Sequence, residues 1–264
     1  MTTRIDITFA RLKSANQSGF VAYIMGGDPD HESSLELMKA LPAAGVDIIE
    51  LGMPFTDPAA DGPVIEDAGL RSLAAGTNVG SIFEMAREFR QDNADTPIIV
   101  MGYANPVHHM GYSEFAKAAK AAGVDGAIIV DLPPEEDADL RAAFDTHDLA
   151  LIRLATPTTD DARLPKVVAG TKGFVYYVSV AGVTGKALGQ SAAVSSAVER
   201  IRKASGLPVV VGFGVKTSEQ SARVAKDADA VVVGSAIVDT FHKDGHEAAL
   251  KLVRDLSGAA HKAQ

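Results

Sequence analysis

The stretch A-A-G-V-D-I-I-E-L, Ala43–Leu51, decides the fold of this chain because its pattern occurs twice. The second copy, A-A-G-V-D-G-A-I-I-V-D-L, covers Ala121–Leu132. Each copy has the end of a helix, a glycine at the position that follows a helix, and then an apolar run typical of a buried strand. The repeat therefore predicts a helix–turn–strand unit that recurs along the chain.

Further runs of this kind predict eight strands. The runs are almost continuously apolar, which is typical of parallel strands covered on both faces. The predicted strands are Phe20–Met25, Asp47–Leu51, Ile98–Met101, Ala127–Val130, Ala150–Leu154, Phe174–Val178, Val209–Val211 and Ala230–Val233.

Amphipathic segments between the strands predict helices, several with Ser, Thr or Asp at the N-cap position. They include Ser33–Ala44, Ser81–Arg90, Ser113–Ala122, Glu135–Thr146, Ala193–Ala204 and Ser218–Lys226. An extra N-terminal helix is predicted over Thr3–Asn16, where it would cap the bottom of the fold. The tail Ser257–Gln264 is predicted to be frayed.

Strict alternation of strands and helices predicts an α/β fold with a parallel sheet. Eight units in one domain, residues 1–264, fit a (β/α)8 TIM barrel with an extra N-terminal helix. The alternative is an open doubly wound sheet, which usually carries G-x-G-x-x-G after its first strand. The sequence M-G-G-D-P at Met25–Pro29 is a different motif, so the barrel is favoured.

Composition narrows the function classes. The 264 residues include no cysteine, which excludes disulfides, thiolate catalysis and iron–sulfur clusters and fits a reducing compartment. The N-terminus has no long apolar segment, and no apolar run approaches the roughly 20 residues of a membrane helix. The net charge is −9 without a Lys/Arg cluster, which argues against nucleic acid. A cytoplasmic protein is therefore expected.

Glu50 interrupts the apolar strand near its carboxyl end. Active sites of (β/α)8 barrels lie at this end of the strands. A carboxylate that is partly removed from water has a raised pKa, which suits acid–base chemistry near neutral pH. The alternative is a structural glutamate paired with a Lys or Arg at the barrel rim.

Three further aspartates follow strand ends, and each has a structural alternative. Asp61 precedes Gly62-Pro63, where it could cap a helix that starts near Pro63. Asp57 precedes a proline and fits a turn. Asp131 ends the fourth strand and could be catalytic, orient a loop or form a turn.

Small residues after the last two strands predict an anion site. The segments are Gly212-Phe213-Gly214-Val215 and Gly234-Ser235-Ala236, and Gly234-Ser235 is predicted to open a short helix that runs to Val238. A helix N-terminus after the eighth strand often binds phosphate in barrels. The alternative is that these glycines only permit tight turns.

The segment that follows strand six is long and rich in small residues. Ser179–Lys186 differs from a P-loop because only two residues separate its glycines and Ala187 follows the lysine. Together with Ala187–Gln190 it suits a lid, and the alternative is a solvated loop. His108 and His109 lack partners at metal-ligand spacing and are predicted to lie in a surface loop.

Several of these segments together resemble the tryptophan synthase alpha-chain family. The resemblance runs from Phe20 to Val238 in order and spacing. The matching motifs are E-L-G-M-P-F-T-D-P-A-A-D-G-P (Glu50–Pro63), A-G-V-T-G (Ala181–Gly185), G-F-G-V (Gly212–Val215), G-S-A-I-V (Gly234–Val238), Y-A-N-P-V (Tyr103–Val107) and Gly27-Asp28-Pro29.

The resemblance implies a lyase of tryptophan biosynthesis that cleaves indole-3-glycerol phosphate to indole and glyceraldehyde 3-phosphate. Glu50 matches the acid–base that protonates C3 of the indole and helps to remove the glycerol hydroxyl proton. Asp61 matches the carboxylate that binds the indole N–H. No metal or organic cofactor is implied in this chain. The implied substrate-binding residues are Tyr23, Tyr176, Phe213, the lid residue Thr184, and the phosphate-binding Gly185, Gly214, Gly234 and Ser235.

The resemblance also implies a partner, a pyridoxal-phosphate beta chain in an allosteric alpha2beta2 heterotetramer that receives indole through a tunnel. Pro54, Asp57 and the segment Tyr103–Gly111 match regions that face it. Val180 departs from the family members that have Arg there, which concerns lid contacts.

Three alternatives remain open. The chain could be another phosphate-binding barrel enzyme, although the Glu50–Asp61 loop argues against this. It could be a regulatory subunit that has lost catalysis, although both carboxylates are intact. It could also be a free-standing lyase that releases indole, and the sequence discriminates poorly here.

Overall fold

All strands in the computed structural model are parallel and lie in one sheet. The structure describes residues 2–179, 187–212 and 214–263, with backbone only for 187–192. The strands are β1 Gly19–Met25, β2 Ile48–Gly52, β3 Ile98–Gly102, β4 Gly126–Ile129, β5 Ala150–Leu151, β6 Arg153–Ala155, β7 Val175–Val178, β8 Val209–Gly212 and β9 Ala230–Val233.

The sheet closes into a barrel because its two edge strands are directly connected in sequence. Its order is β5-β4-β3-β2-β1-β9-β8-β7-β6, so the two edge strands are consecutive in sequence. Only Ile152 separates β5 from β6, and together they form the predicted fifth strand, Ala150–Leu154. The first half pairs with β4 and the second half with β7. The prediction of eight barrel strands is confirmed, with the fifth divided between its two neighbours.

Helices surround this barrel, and the six predicted between strands are confirmed, although the one predicted over Ala193–Ala204 begins six residues earlier, at Ala187. The α-helices of the described residues are α1 Arg4–Ser14, α2 His31–Ala40, α3 Pro63–Ala74, α4 Val79–Asp92, α5 Ala104–Met110, α6 Tyr112–Ala121, α7 Ala138–Thr146, α8 Leu164–Val168, α9 Ala187–Ser205, α10 Ser218–Ala225, α11 Ser235–Asp244 and α12 His246–His261. A search of the described residues finds no helix with the length and apolar character needed to cross a membrane.

The N-terminal helix closes the bottom of the barrel, as predicted. Thr3 and Asp6 form a capping box that starts α1. Ile5, Phe9 and Leu12 lie on one face of the helix and are buried in a cluster with inward-facing residues of the strands. Their side chains shield the lower barrel interior from water, which leaves the opposite end for chemistry.

The repeated A-A-G-V-D motif has a structural explanation. A side chain ahead of every second barrel strand accepts the N–H of a residue in the preceding barrel strand. The four bonds are Phe20 N–H to Asp47 (2.8 Å), Ile98 N–H to Asp125 (2.9 Å), Arg153 N–H to Thr171 (3.1 Å) and Val209 N–H to Asp229 (2.7 Å). These bonds satisfy backbone donors at the barrel bottom that would otherwise lack partners.

The prediction of a frayed C-terminal tail is wrong. Helix α12 continues to His261, and its Ser257 hydroxyl donates to the carbonyl of Ala44 at 2.9 Å. The His261 Nε2 lies 2.8 Å from Asp47 Oδ2. The small side chains of Ser257 and Ala260 are buried. They allow the end of this helix to pack closely against the rest of the protein.

The prediction of a surface loop around His108 and His109 is also wrong in its secondary structure. Both histidines are exposed, as expected, but they lie in helix α5. This helix has seven residues, begins without a side-chain cap and buries only Val107, so it has almost no amphipathic signal. Among the described residues, no group of three His, Asp or Glu side chains could hold a metal ion.

Candidate active site

Glu50 points into the barrel near its carboxyl-terminal end. It pairs in register with Tyr23 of β1 and Ile99 of β3. Side chains two residues apart on a strand point to the same face, and Ile48 belongs to the barrel-interior cluster. Glu50 therefore lies one layer above Ile48, and only 1% of its surface is exposed.

The carboxyl group of Glu50 has an environment that favours its neutral form. Neither of its oxygens has a hydrogen-bond partner among the described residues, and no ion pair with a rim lysine or arginine is found there. Burial raises the pKa of Glu50 from 4.5 to about 8. At neutral pH most of the molecules therefore have a protonated Glu50 that can donate a proton.

Asp61 lies in the loop between β2 and α3 and is half-buried. Burial raises its pKa, a hydrogen bond from the Tyr103 hydroxyl opposes the rise, and the charge of Glu66 adds to it. The N-cap of α3 is Gly62, and no side chain caps this helix. The alternative in which Asp61 serves as a helix cap is therefore not observed.

Tyr103 connects Asp61 to the next barrel loop, a role that sequence reasoning missed. It is the residue before α5, and its hydroxyl also accepts the N–H of Ala60 at 3.1 Å. The ring stacks on Phe55 with 5.5 Å between centroids. Burial is the main reason that the pKa of Tyr103 rises to about 12. No spacing or motif in the sequence indicates which acid this hydroxyl contacts.

Two buried tyrosines flank Glu50 across the barrel. Burial raises the pKa of Tyr23, and negative charge on Asp61 and Glu50 raises it further. Burial and Glu50 raise the pKa of Tyr176 in the same way. Tyr23 is also the register partner of Glu50 on the neighbouring strand β1.

Glycines make room for both tyrosine rings. A Cβ at Gly52 would lie 2.3 Å from the Tyr23 hydroxyl, and one at Gly212 would lie 2.2 Å from the Tyr176 hydroxyl. Such distances are far below van der Waals contact, so a side chain at either glycine would displace a ring. The strand-end glycines therefore shape the upper barrel around Glu50.

A helix begins at the position where an anion site is predicted, after the eighth barrel strand. Ser235 begins α11 directly after Gly234, and the helix extends to Asp244 instead of ending at Val238. The first N–H groups of a helix have no partner within it and attract anions. A Cβ at Gly234 would lie 3.2 Å from the Tyr23 Cβ, so this end of the site adjoins the pocket.

Gly214 is exposed in the loop after β8, with a φ of +75° that favours glycine. Thr184, Gly185 and Phe213 lie outside the described residues, as does Val180. Of the predicted lid, 180–186 lies outside them too, and 187–190 forms the start of α9.

Two further loop residues have clear positions. Asp57 is exposed and accepts a hydrogen bond from the Thr56 hydroxyl at 2.5 Å, whereas Pro54 is buried. Asp131 is exposed just after β4 and accepts the N–H of Ala104 at 2.7 Å. Of its three sequence-based alternatives, this contact matches the loop-orienting one.

The fold and the site define a class of protein. It is a (β/α)8-barrel enzyme whose mouth combines a buried neutral acid, a second carboxylate and a helix N-terminus suited to phosphate. Comparison with known proteins identifies the family within this class. The family model described as "Tryptophan synthase alpha chain" matches residues 9–263.

Individual relatives agree with the family model. The tryptophan synthase alpha chain of Caulobacter vibrioides (strain NA1000 / CB15N) is 58% identical over 236 residues, 89% of this chain and 86% of that one. The solved tryptophan synthase subunit alpha of Legionella pneumophila str. Paris is 38% identical, with a TM-score of 0.91 over 98% of this chain and 99% of that one. A solved tryptophan synthase structure from Mycobacterium tuberculosis is 35% identical, with a TM-score of 0.90 over 99% of each chain.

The chain belongs to the tryptophan synthase alpha-chain family. It is an enzyme of tryptophan biosynthesis, a lyase that cleaves indole-3-glycerol phosphate. The fold expected from the resemblance, a (β/α)8 barrel, is confirmed.

Proposed function

We propose that Glu50 and Asp61 are the two catalytic residues of this cleavage. The observation that supports the proposal is the burial of Glu50, whose carboxyl group has no described partner and a pKa of about 8. A neutral carboxylic acid at the barrel mouth can give a proton to a carbon atom, which a carboxylate cannot do. Asp61 has the Tyr103 hydroxyl as a donor that favours its ionised form.

The proposed reaction balances with one proton passed out and back. Glu50 first donates its proton to C3 of the indole ring, and the ring nitrogen acquires positive charge. Asp61 accepts a hydrogen bond from this N–H and stabilises the charge. Ionised Glu50 then removes the proton from the hydroxyl on the carbon attached to C3. The C–C bond breaks, its electrons restore the indole ring, and glyceraldehyde 3-phosphate leaves with a new aldehyde.

The substrate would bind with its phosphate at the start of α11 and its ring in the upper barrel. Gly234 and Ser235 present the helix N-terminus, and Tyr23 and Tyr176 border the space beside Glu50. Gly214, Gly185, Thr184 and Phe213 complete the proposed set on the strength of the family motifs alone. The cleavage as written needs no metal or organic cofactor from this chain.

We further propose that the chain works in the cytoplasm, in an alpha2beta2 complex with a beta chain that carries pyridoxal phosphate and consumes indole. Family membership supports a beta-chain partner. Pro54, Asp57 and the segment 103–111, most of which is α5, are the proposed contacts. Exposure of Asp57, His108 and His109 is compatible with docking.

The test is the turnover of indole-3-glycerol phosphate by the purified chain, with and without a beta chain. Wild type should produce indole, faster with the partner, and Glu50→Gln should bind substrate but lose more than ~1000-fold in kcat. Glu84→Gln, on the exposed face of α4, is the matched control and should be fully active.

Other outcomes are equally informative. Wild-type binding without turnover under either condition would indicate a regulatory subunit. Full turnover that a beta chain neither changes nor binds would indicate a free-standing lyase. An active Glu50→Gln enzyme would contradict the proposed role of Glu50 directly.

A further inference from the structure

Asp131 links the loops that follow the third and fourth barrel strands. It lies two residues after the end of β4, and its Oδ1 accepts the N–H of Ala104, the first residue of α5, at 2.7 Å. These two residues are 27 positions apart in the chain. The contact is therefore a tertiary connection and not a local turn.

Helix α5 depends on this contact for its start. Its N-cap residue, Tyr103, supplies no capping hydrogen bond from its side chain. Asp131 supplies the missing acceptor from a neighbouring strand end, and its negative charge is favourable at a helix N-terminus. The charge of Asp131 also raises the pKa of the Tyr103 phenol, after the larger effects of burial, Ala60 and Asp61.

Tyr103, the residue before α5, connects this contact to Asp61. Tyr103 precedes Ala104 by one residue, and its hydroxyl accepts the N–H of Ala60, the residue before Asp61, at 3.1 Å. The same hydroxyl lowers the pKa of Asp61 as a hydrogen-bond donor. A shift of the first turn of α5 would therefore move this hydroxyl away from the loop.

We propose that Asp131 is a positioning residue for the reaction, which holds the start of α5 so that the Tyr103 hydroxyl reaches Asp61. The inference rests on the proposed catalytic role of Asp61. Asp131 itself does not touch the substrate in this account. It acts through Tyr103, and the double variant of Asp131 and Tyr103 tests this dependence.

The first measurement is made on the chain without substrate, so it does not depend on turnover. The Asp61 carboxyl is titrated by 13C NMR and assigned with Asp61→Asn, in wild type, Asp131→Ala, Tyr103→Phe and the double variant. The Tyr103 hydrogen bond lowers the pKa of Asp61, so each single variant should raise it. The double variant should raise it no further, because both changes remove the same contact.

Asp30→Ala is the matched control. Asp30 is also an exposed aspartate that caps a helix, with Ser33 N–H at 2.8 Å, but it has no connection to Asp61. Its substitution should leave the Asp61 titration unchanged. Asp131→Asn keeps an oxygen that can accept the Ala104 N–H and should restore most of the wild-type value, which also covers the case in which Asp131→Ala folds poorly.

The second measurement is steady-state kinetics with indole-3-glycerol phosphate. Asp131→Ala should lower kcat about fivefold with KM changed less than twofold, and should have little further effect in the Tyr103→Phe background. Additive effects in the double variant, or an unchanged Asp61 titration in Asp131→Ala, would overturn the proposal. An absence of turnover in wild type, with the titrations as expected, would instead count against the proposed function alone.

Discussion

Replacement of Glu50 by glutamine should stabilise the fold, and increasingly so as the pH rises. The pKa of Glu50 is about 8 in the folded chain, and its ordinary value of 4.5 applies when the chain unfolds. Because the folded-state pKa is raised, the folded chain binds more protons than the unfolded chain between these values. The contribution of Glu50 to the free energy of unfolding is therefore fully present below pH 4.5 and is lost as the pH rises through 8.

The magnitude follows from these two pKa values. Each pH unit between them corresponds to ~1.36 kcal/mol, so the full effect is about 5 kcal/mol. Between pH 5 and pH 8 the change amounts to about 3–4 kcal/mol. Glutamine has a similar shape and no titration, so Glu50→Gln lacks this loss. Other titrating groups act equally on both proteins and cancel in the difference.

The assay is urea unfolding of wild type and Glu50→Gln at half-unit steps from pH 5 to pH 9. The difference in unfolding free energy should widen with pH in favour of the variant and level off above pH 8. A difference that stays flat across this range would refute the reasoning, because it would mean that Glu50 titrates alike in the folded and unfolded chains.

Three further changes have outcomes that the structure specifies. Gly52→Ala places a Cβ 2.3 Å from the Tyr23 hydroxyl and should lower both stability, by about 1–3 kcal/mol, and kcat/KM; Tyr23→Phe in the same chain should recover part of each. Asp125→Ala removes the acceptor of two arginines and a strand N–H, and a loss of about 3–5 kcal/mol is expected in urea unfolding. His261→Ala breaks one contact with Asp47 and should lower the free energy of unfolding by about 1 kcal/mol. A loss above about 3 kcal/mol would show that His261 contributes more than this one hydrogen bond.

The barrel could be predicted from sequence because its signals are local. The apolar runs and the A-A-G-V-D repeat depend on neighbours along the chain, and the structure confirms the strands that they predict. The division of the fifth strand at Ile152 depends instead on which strand pairs with each half. Helix α5 was missed for a similar reason, since its start is stabilised by Asp131 from another loop.

The same distinction applies to the site. Glu50 is recognisable because a single acid interrupts an apolar strand, and the structure buries its side chain almost completely. The contact between Tyr103 and Asp61 joins two loops and leaves no trace in either segment alone. The packing of α12 was misjudged because small residues read as a weak hydrophobic signal, although here they permit close approach.

The four side chains that accept strand N–H groups at the barrel bottom fall into two pairs along the chain. The bonds made by Asp47 and Asp125 lie entirely before the exposed turn at Asp148, and those made by Thr171 and Asp229 lie entirely after it. Two of the four hydrogen bonds therefore lie on each side of this turn, and none of the four crosses it. In this respect the barrel strands before the turn and those after it are equivalent, and Glu50 lies before the turn whereas α11 lies after it.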